Sequence, residues 1–146
     1  MTIWHAAPDL ERINGWSANT MMQTLGIRVT AFGDDWLAGT MPVDARTHQP
    51  YGLLHGGASV ALAETLGSTA AMLTLDPDTS LTVGLDINAN HVRGVRSGVV
   101  TGTARALHIG RSTQVWDIRI EDEAGALVCI ARLTMAVIAA RHAGVA

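Results

Sequence analysis

Apolar residues form two kinds of pattern along the chain, and the order of these patterns defines the predicted fold. Residues 27–32 and 36–43 contain β-branched and aromatic side chains and flank the turn Gly33-Asp34-Asp35, which predicts a β-hairpin. Residues 56–75 consist mainly of Ala, Leu and Met over a length that exceeds an ordinary strand, and Asp76-Pro77 follows them. This segment is predicted to be one long helix that is apolar all round and buried on most of its faces.

Four more strands are predicted after this helix. Residues 80–90 alternate between apolar and polar positions, which predicts a half-exposed strand. Its apolar face would consist of Leu81, Val83, Leu85, Ile87 and Ala89. Residues 98–107, 113–120 and 126–139 follow, separated by short turns. Such strands favour an antiparallel sheet, which can bury an apolar helix only by curving around it, so the predicted fold class is α+β.

The two ends of the chain are predicted to be peripheral. Residues 9–15 and 19–25 have the pattern of short helices, the second of them capped by Asn19 or Thr20 and closed by Gly26. No linker or repeat divides the 146 residues, so one domain is expected, with residues 1–26 as an N-terminal helical segment and residues 141–146 as a frayed tail. When a single helix packs on a single sheet, much of the surface of each stays exposed, so a partner subunit is expected.

Composition narrows the possible functions. The chain is 48% hydrophobic and 16% charged, which is typical of a globular protein. Its net charge of −3 argues against a nucleic-acid binder or a protein that binds anionic membranes. No basic region precedes an apolar block at the N-terminus, and no apolar run approaches ~18 residues, so a cytoplasmic location is expected. The one cysteine, Cys129, lies in an apolar run and is predicted to be a buried, inert thiol.

Several familiar motifs are incomplete in this sequence. The run GASVA ends in Ala61, where the nucleophile elbow of serine hydrolases requires glycine, so Ser59 is interpreted as an ordinary helix residue. The six histidines lack the spacing of metal ligands, and no phosphate-binding loop or dinucleotide fingerprint occurs. No metal site and no cofactor are therefore predicted.

The stretch QPYGLLHGGASVALAETLGS, residues 49–68, contains a single acidic residue, Glu64. A carboxylate among apolar neighbours is normally neutralised, paired or used in chemistry, so Glu64 could be a structural ion pair, a protonated core acid or a catalytic group. His55-Gly56-Gly57 opens the predicted helix, where free N–H groups and the helix dipole favour an oxyanion; the alternative is a plain glycine-rich start. Ser68, one turn after Glu64, could hold a water or bond a backbone carbonyl.

Three runs carry a resemblance to a known family: QPYGLLHGGASVALAE, VGLDINANHVRG and LHIGRSTQVWDIRIEDEAG. They resemble the hotdog-fold acyl-CoA thioesterases, and within them the bacterial branch that includes 1,4-dihydroxy-2-naphthoyl-CoA thioesterase and the proofreading thioesterase of enterobactin synthesis. The similarity extends from about residue 26 to residue 137. It implies the hotdog fold and the hydrolysis of acyl-CoA thioesters, with aromatic acyl groups such as 1,4-dihydroxy-2-naphthoyl or hydroxybenzoyl and a place in menaquinone biosynthesis.

The resemblance also implies a role for each residue of the first run. The backbone N–H of Gly56 would polarise the thioester carbonyl, Gln49 would position the thioester or the leaving sulfur, and His55 would orient the loop or donate a further hydrogen bond. Glu64 would attack the carbonyl carbon or activate a water as general base, and Ser68 would place that water.

Coenzyme A carries phosphate groups, so cations are expected at the mouth of the pocket. The candidates for this end are His91, Arg93, Arg96, Arg111 and Ser112. Val83 and Gly84 would offer backbone groups to the pantetheine arm by β-type pairing. Each arginine could instead be a solvated turn residue.

The spacing of Gly56 and Glu64 predicts an assembly. They lie eight positions apart, about 12 Å along one helix at ~1.5 Å per residue. One carbonyl group cannot touch both, so the two residues must come from different copies of the helix. We therefore expect a homodimer with shared active sites, and the resemblance implies a pair of dimers, a homotetramer. Two other functions remain open: a hotdog dehydratase with His55 as base and Glu64 as acid, and a non-catalytic acyl-CoA binding protein.

Overall fold

The computed structural model describes residues 1–140, so the predicted tail, residues 141–146, lies outside the described residues. Within them the elements are α1 (Leu10–Gly15), α2 (Met21–Leu25), β1 (Arg28–Phe32), β2 (Trp36–Pro42), α3 (Gly56–Leu73), β3 (Ser80–His91), β4 (Val99–Ile109), β5 (Thr113–Glu121) and β6 (Leu127–Ala139). The strands form one antiparallel sheet in the order β1-β2-β4-β5-β6-β3. Helix α3 contacts five of these strands, which requires the sheet to curve around it. The predicted α+β architecture is confirmed.

Only one face of α3 is buried within the chain. Its buried residues recur every four positions, as the pairs 58 and 59, 62 and 63, 66 and 67, and 70 and 71. The opposite face, which includes Glu64, Ser68 and Met72, stays at least partly exposed. The prediction of a helix buried on most faces is therefore wrong for a single chain, because one sheet can cover only one side. The helix also ends at Leu73, two residues earlier than predicted.

A buried polar network anchors the C-terminal end of α3 to β5. The side chain of Gln114 is fully buried, and its Nε2 donates to Thr74 Oγ1 at 2.9 Å. Its Oε1 accepts a hydrogen bond from Trp116 Nε1 at 3.1 Å. Because each polar group of Gln114 has a partner, burial of this amide costs little, and the network fixes the end of the helix against the sheet.

Strand β3 is the outer strand on one side of the sheet, and none of its residues is buried. Its register against β6 shifts at Leu85, which has no partner residue. An extra residue of this kind reverses the faces to which the following residues point. Leu81 and Val83 are consequently 38% and 42% exposed, whereas Ile87 and Ala89 pack against the core. The prediction that these residues share one apolar face is wrong.

The other outer strand, β1, is covered by the N-terminal helical segment. Asn14 Oδ1 accepts a hydrogen bond from the Val29 N–H at 2.9 Å, and Asn14 Nδ2 donates to the Val29 carbonyl at 2.8 Å. These bonds occupy backbone groups that an outer strand otherwise leaves open. Helix α2 begins after Thr20, two residues later than predicted and without a side-chain cap bond, and it closes at Gly26 with φ +71°, as predicted. No helix within residues 1–140 is long and apolar enough to cross a membrane.

Candidate active site

Helix α3 presents one free backbone N–H group at its N-terminus. His55 is the N-cap residue, and its Nδ1 accepts a hydrogen bond from the Gly57 N–H at 2.8 Å, so its ring proton lies on Nε2. The His55 carbonyl accepts from the N–H groups of Ala58 and Ser59 at 2.9 and 3.2 Å. The Gly56 N–H has no partner within residues 1–140. The positive end of the helix dipole is therefore available at the residue predicted to polarise a carbonyl.

The loop before α3 orients the side chain of Gln49. Gln49 Oε1 accepts a hydrogen bond from the Tyr51 N–H, and the Gln49 N–H donates to the Leu53 carbonyl at 2.8 Å. Since the side-chain oxygen is used within the loop, Nε2 is the group that Gln49 can offer to a ligand. Gln49 can therefore act as a hydrogen-bond donor.

A cavity of about 170 Å³ lies at the N-terminus of α3. Its lining residues are Gln49, Leu54, Gly56, Ser59, His91, Arg93 and Val128. A Cβ atom at Gly56 would come within 2.8 Å of His91 Nε2, so the His91 ring lies against the residue that carries the free N–H. The structure thus brings four predicted site residues together. A larger cavity, of about 300 Å³ between the N-terminal segment and the end of α3, contains none of them.

The carboxylate of Glu64 points from the open face of α3 towards the outer strand β3. A Cβ atom at Gly84 would lie 2.6 Å from Glu64 Oε1. Glu64 forms no ion pair or side-chain hydrogen bond in the part of the chain that the structure describes, and it is only partly buried. Within these residues, Glu64 is therefore neither part of a structural ion pair nor a core acid. One turn later, the hydroxyl of Ser68 contacts Met135 Sδ at 3.8 Å instead of a backbone carbonyl.

Two of the predicted residues, Arg111 and Ser112, lie at the far end of β3. The Ser112 carbonyl accepts a hydrogen bond from the Val137 N–H at 2.9 Å, and Val137 lies opposite the start of β3. His91 is the last residue of β3, roughly 30 Å away at ~3.3 Å per residue. A single chain therefore does not bring Arg111 and Ser112 to the same place as His91 and Arg93.

Comparison with known proteins identifies the family. Residues 51–129 match the family model described as thioesterase superfamily. The chain belongs to the thioesterase superfamily. It is 52% identical over 136 residues to the proofreading thioesterase EntH of Cronobacter sakazakii, covering 93% of this chain and 98% of that protein. It is 51% identical over 136 residues to the 1,4-dihydroxy-2-naphthoyl-CoA hydrolase of Escherichia coli, covering 93% and 99%.

The fold supports the same assignment. The crystal structure of a mutant thioesterase from Pseudomonas aeruginosa superposes with a TM-score of 0.94 at 55% sequence identity, covering 95% of this chain and 100% of that one. The predicted hotdog fold and thioester hydrolase activity are thereby confirmed.

One further residue at the N-terminus of α3 of this thioesterase, interpreted from the sequence as an ordinary helix residue, lines the cavity. Ser59 is only 2% exposed, yet it lines the same cavity as Gly56 and Gln49. No buried side-chain oxygen or nitrogen within residues 1–140 lacks a hydrogen-bond partner, and no hydrogen bond within the chain uses the Ser59 hydroxyl, so this hydroxyl is open to the cavity. The sequence contained a signal for this: Ser59 lies three positions after Gly56, and residues three apart in a helix lie on the same face.

Arg96 and Asp44 support the loop that carries Gln49 in this thioesterase. Arg96 Nη1 donates to the Tyr51 carbonyl at 3.3 Å, and the Arg96 carbonyl accepts from His48 Nε2 at 2.8 Å. Asp44 accepts hydrogen bonds from Nε and Nη2 of Arg46 at 3.0 and 2.7 Å. The side-chain hydrogen bonds from Arg46, followed by its backbone N–H, lower the pKa of Asp44 to about 2. The predicted contact of Arg96 with a phosphate stays a prediction.

Elsewhere in this thioesterase, Cys129 is buried, as the sequence predicts. Burial raises the pKa of its thiol above the ordinary value, because the thiolate is poorly solvated there. The residue therefore fits a structural role in the core.

Proposed function

We propose that the protein hydrolyses aromatic acyl-CoA thioesters, with Gly56 and Gln49 binding the thioester carbonyl. The observation that carries this proposal is the Gly56 N–H at the positive end of α3, which has no partner within residues 1–140. Negative charge develops on the carbonyl oxygen during thioester hydrolysis, and donors already in place stabilise it. The naphthoyl-CoA substrate in the name of the Escherichia coli relative supports an aromatic acyl group.

Glu64 acts on the carbonyl carbon. If its carboxylate attacks, a mixed anhydride forms as the C–S bond breaks, and water then hydrolyses the anhydride. If it acts as general base, it takes a proton from a water that attacks directly. Either route gives the carboxylic acid and the thiol of coenzyme A. Ser68, one turn from Glu64, would hold the water in both cases, and His55 keeps the helix start in place through its bond to Gly57.

The carbonyl and the acid meet only if two copies of the chain share each site. Gly56 and Glu64 are about 12 Å apart along α3 at ~1.5 Å per residue, too far for one carbonyl group. Glu64 lies beside Gly84 on the open outer strand β3. Antiparallel pairing of β3 with its own copy exchanges the two ends of the strand, and we propose a register in which Gly84 of one chain lies opposite His91 of the other. Glu64 of one copy then approaches Gly56 of the second copy, whose Cα lies against His91.

The same pairing gathers the candidate residues for coenzyme A. The turn with Arg111 and Ser112 lies beside the start of β3, and His91 and Arg93 lie at its end. Antiparallel pairing exchanges these ends between copies, so both groups surround one site. Val83 and Gly84 on β3 would offer backbone groups to the pantetheine arm, and the guanidinium of Arg96 is close enough to the Gln49 loop to join the phosphate contacts. A homotetramer, a cytoplasmic location and a role in menaquinone biosynthesis stay predictions.

Release of free thiol from a panel of substrates tests the function. The panel contains 1,4-dihydroxy-2-naphthoyl-CoA, hydroxybenzoyl-CoA and aliphatic acyl-CoAs of matched carbon number. We expect thiol release from all, with kcat/KM at least tenfold higher for the aromatic substrates. Equal or higher values for the aliphatic substrates would contradict the aromatic preference. Conversion of a 3-hydroxyacyl-CoA without thiol release would indicate the dehydratase, and binding without turnover would indicate a non-catalytic acyl-CoA binding protein.

A further inference from the structure

On the basis of the proposed function, we infer that Ser59 is an additional catalytic residue: its hydroxyl donates a hydrogen bond to the thioester carbonyl oxygen that also accepts from the Gly56 N–H. Ser59 keeps its proton throughout, and no bond to its oxygen forms or breaks. The hydroxyl completes an oxyanion site of three donors, the other two being the Gly56 N–H and Gln49 Nε2.

Ser59 differs from the other buried polar residues in lacking a partner. Within residues 1–140 the buried polar residues are Ser17, Thr47, Ser59 and Gln114. The hydroxyl of Thr47 donates to the Pro42 carbonyl, the amide of Gln114 binds Thr74 and Trp116, and the hydroxyl of Ser17 contacts the sulfur of Met22. No buried side-chain oxygen or nitrogen in the described residues lacks a partner, so the Ser59 hydroxyl, which has none there, is open to the cavity, where a ligand can accept its hydrogen bond.

The position of Ser59 places its side chain beside the turn that carries the free N–H. Side chains of an α-helix lean towards its N-terminus, so a residue three positions along covers the turn that contains Gly56. Both residues line the cavity of about 170 Å³, which also receives Gln49. Because a hydroxyl rotates freely about its C–O bond, its proton can be aimed at an acceptor in this cavity.

The chemistry of the cavity selects an acceptor as ligand. Gly56 contributes only an N–H, and Gln49 has its oxygen bound to Tyr51, so both offer donors. The carbonyl oxygen becomes negative in the transition state, and a negative acceptor binds a third donor more strongly than a neutral acceptor does. Ser59 itself is unsuited to nucleophilic attack, since no hydrogen bond within residues 1–140 joins its hydroxyl to a base that could take its proton.

The test compares Ser59→Ala and Ser59→Cys with Ser17→Ala, a buried serine outside the cavity. Cysteine keeps a similar volume but donates weakly, so it separates hydrogen bonding from packing. We expect kcat to fall about 10²-fold in Ser59→Ala, which is typical for loss of one oxyanion donor, and substantially in Ser59→Cys. KM should change less than about threefold in both, because the bond strengthens only in the transition state. Ser17→Ala should leave both constants unchanged.

A spectroscopic measurement separates this role from a structural one. The probe is an acyl-CoA analogue with a methylene group in place of the sulfur, whose carbonyl stretch is recorded by infrared difference spectroscopy. Binding to the wild type should lower the stretching frequency, and Ser59→Ala should restore part of the shift. Wild-type kcat and an unchanged stretch in Ser59→Ala would overturn the inference, as would an acyl group trapped on Ser59 in rapid-quench mass spectrometry. Absence of thiol release from the wild type would instead contradict the proposed function.

Discussion

The carboxylate of Glu64 lies directly against the backbone of Gly84, with its Oε1 only 2.6 Å from where a Cβ atom of residue 84 would be. A strand position without a side chain therefore allows the acid of α3 to lie flat against the sheet, facing the outer edge. Any side chain at position 84 would compete with the carboxylate for the same space.

Gly84→Ala is expected to displace the Glu64 carboxylate and lower kcat by about 10-fold or more, because small misplacements of a reacting group are costly. The melting temperature should change little, since Gly84 is exposed and has no left-handed backbone. Gly15→Ala is the matched control, since a Cβ atom there meets nothing within 4 Å. Wild-type kcat in Gly84→Ala would show that this position of the carboxylate is not the reactive one.

Glu64→Gln should reduce kcat by at least ~10²-fold, because it removes the nucleophile or base while keeping the shape of the side chain. Stability should stay equal or rise, since Glu64 has no ion pair within residues 1–140. Steady-state kinetics and melting temperatures are measured together, with the exposed Glu11→Gln as control. Retention of more than about a tenth of the wild-type kcat would remove Glu64 from the chemistry.

Shared sites predict recovery of activity on mixing two inactive variants. Glu64→Ala lacks the acid, and the double variant Gln49→Ala with His55→Ala lacks the other half of the site. After reversible dissociation and random reassociation, half of the dimers are mixed and each carries one intact site of two. Activity should therefore return to about a quarter of the wild-type value. No recovery despite demonstrated exchange of subunits, or an active monomer, is incompatible with shared sites.

Neutralising Arg93 or Arg111 by substitution with Ala should raise KM for acyl-CoA about three- to tenfold with little change in kcat, because a phosphate contact is equally strong in ground and transition states. The difference should shrink at high ionic strength. Acyl-pantetheine, which lacks the nucleotide, should show no such difference. Arg105→Ala is the control, since Arg105 pairs with Asp35 at 2.9 Å on the sheet. Equal KM values of the wild type for acyl-CoA and acyl-pantetheine would contradict these contacts.

Asp44 predicts a specific dependence of stability on pH. Its pKa is lowered to about 2, from an ordinary value of ~3.9 in the unfolded chain, by the hydrogen bonds from Arg46. Its ionised form therefore stabilises the folded state above about pH 4, and this contribution is lost as the pH falls towards 2. The melting temperature of the wild type should exceed that of Asp44→Asn at pH 6, and the gap should close near pH 2. Asp78→Asn is the control, and a gap that persists at pH 2 would contradict the assignment.

The elements of the fold were predictable because their signals are local. The hairpin turn at Gly33, the Thr20 and Gly26 caps and the apolar runs each depend on neighbours in sequence, and the predicted strands match the observed ones within a few residues. The bulge at Leu85 was not predictable, because it arises where β3 pairs with β6, more than forty residues later. The buried network of Gln114 was not predictable either, because one of its partners, Thr74, is forty residues away in sequence.

In the candidate site, too, local features were predictable and features that depend on tertiary contacts were not. The helix start at Gly56 and the position of Glu64 on the same helix follow from the sequence of one segment. The contact of His91 with Gly56 depends on where β3 ends relative to α3, which no local pattern encodes. The sequence did not single out Ser59 for a related reason: its residue type is common in helices, and only its place in the cavity beside Gly56, a property of the folded chain, distinguishes it.

The two hydrogen bonds between Asn14 and Val29 have a consequence for how large an assembly can grow. A sheet that is open on both sides can add further copies at each side without limit, as in a fibre. Within residues 1–140, Asn14 occupies both backbone groups of Val29 on one outer strand, and β3 is the outer strand on the other side. Addition of another strand at β1 is therefore disfavoured, and loss of the Asn14 side chain would leave the Val29 N–H and carbonyl open to pairing with another chain.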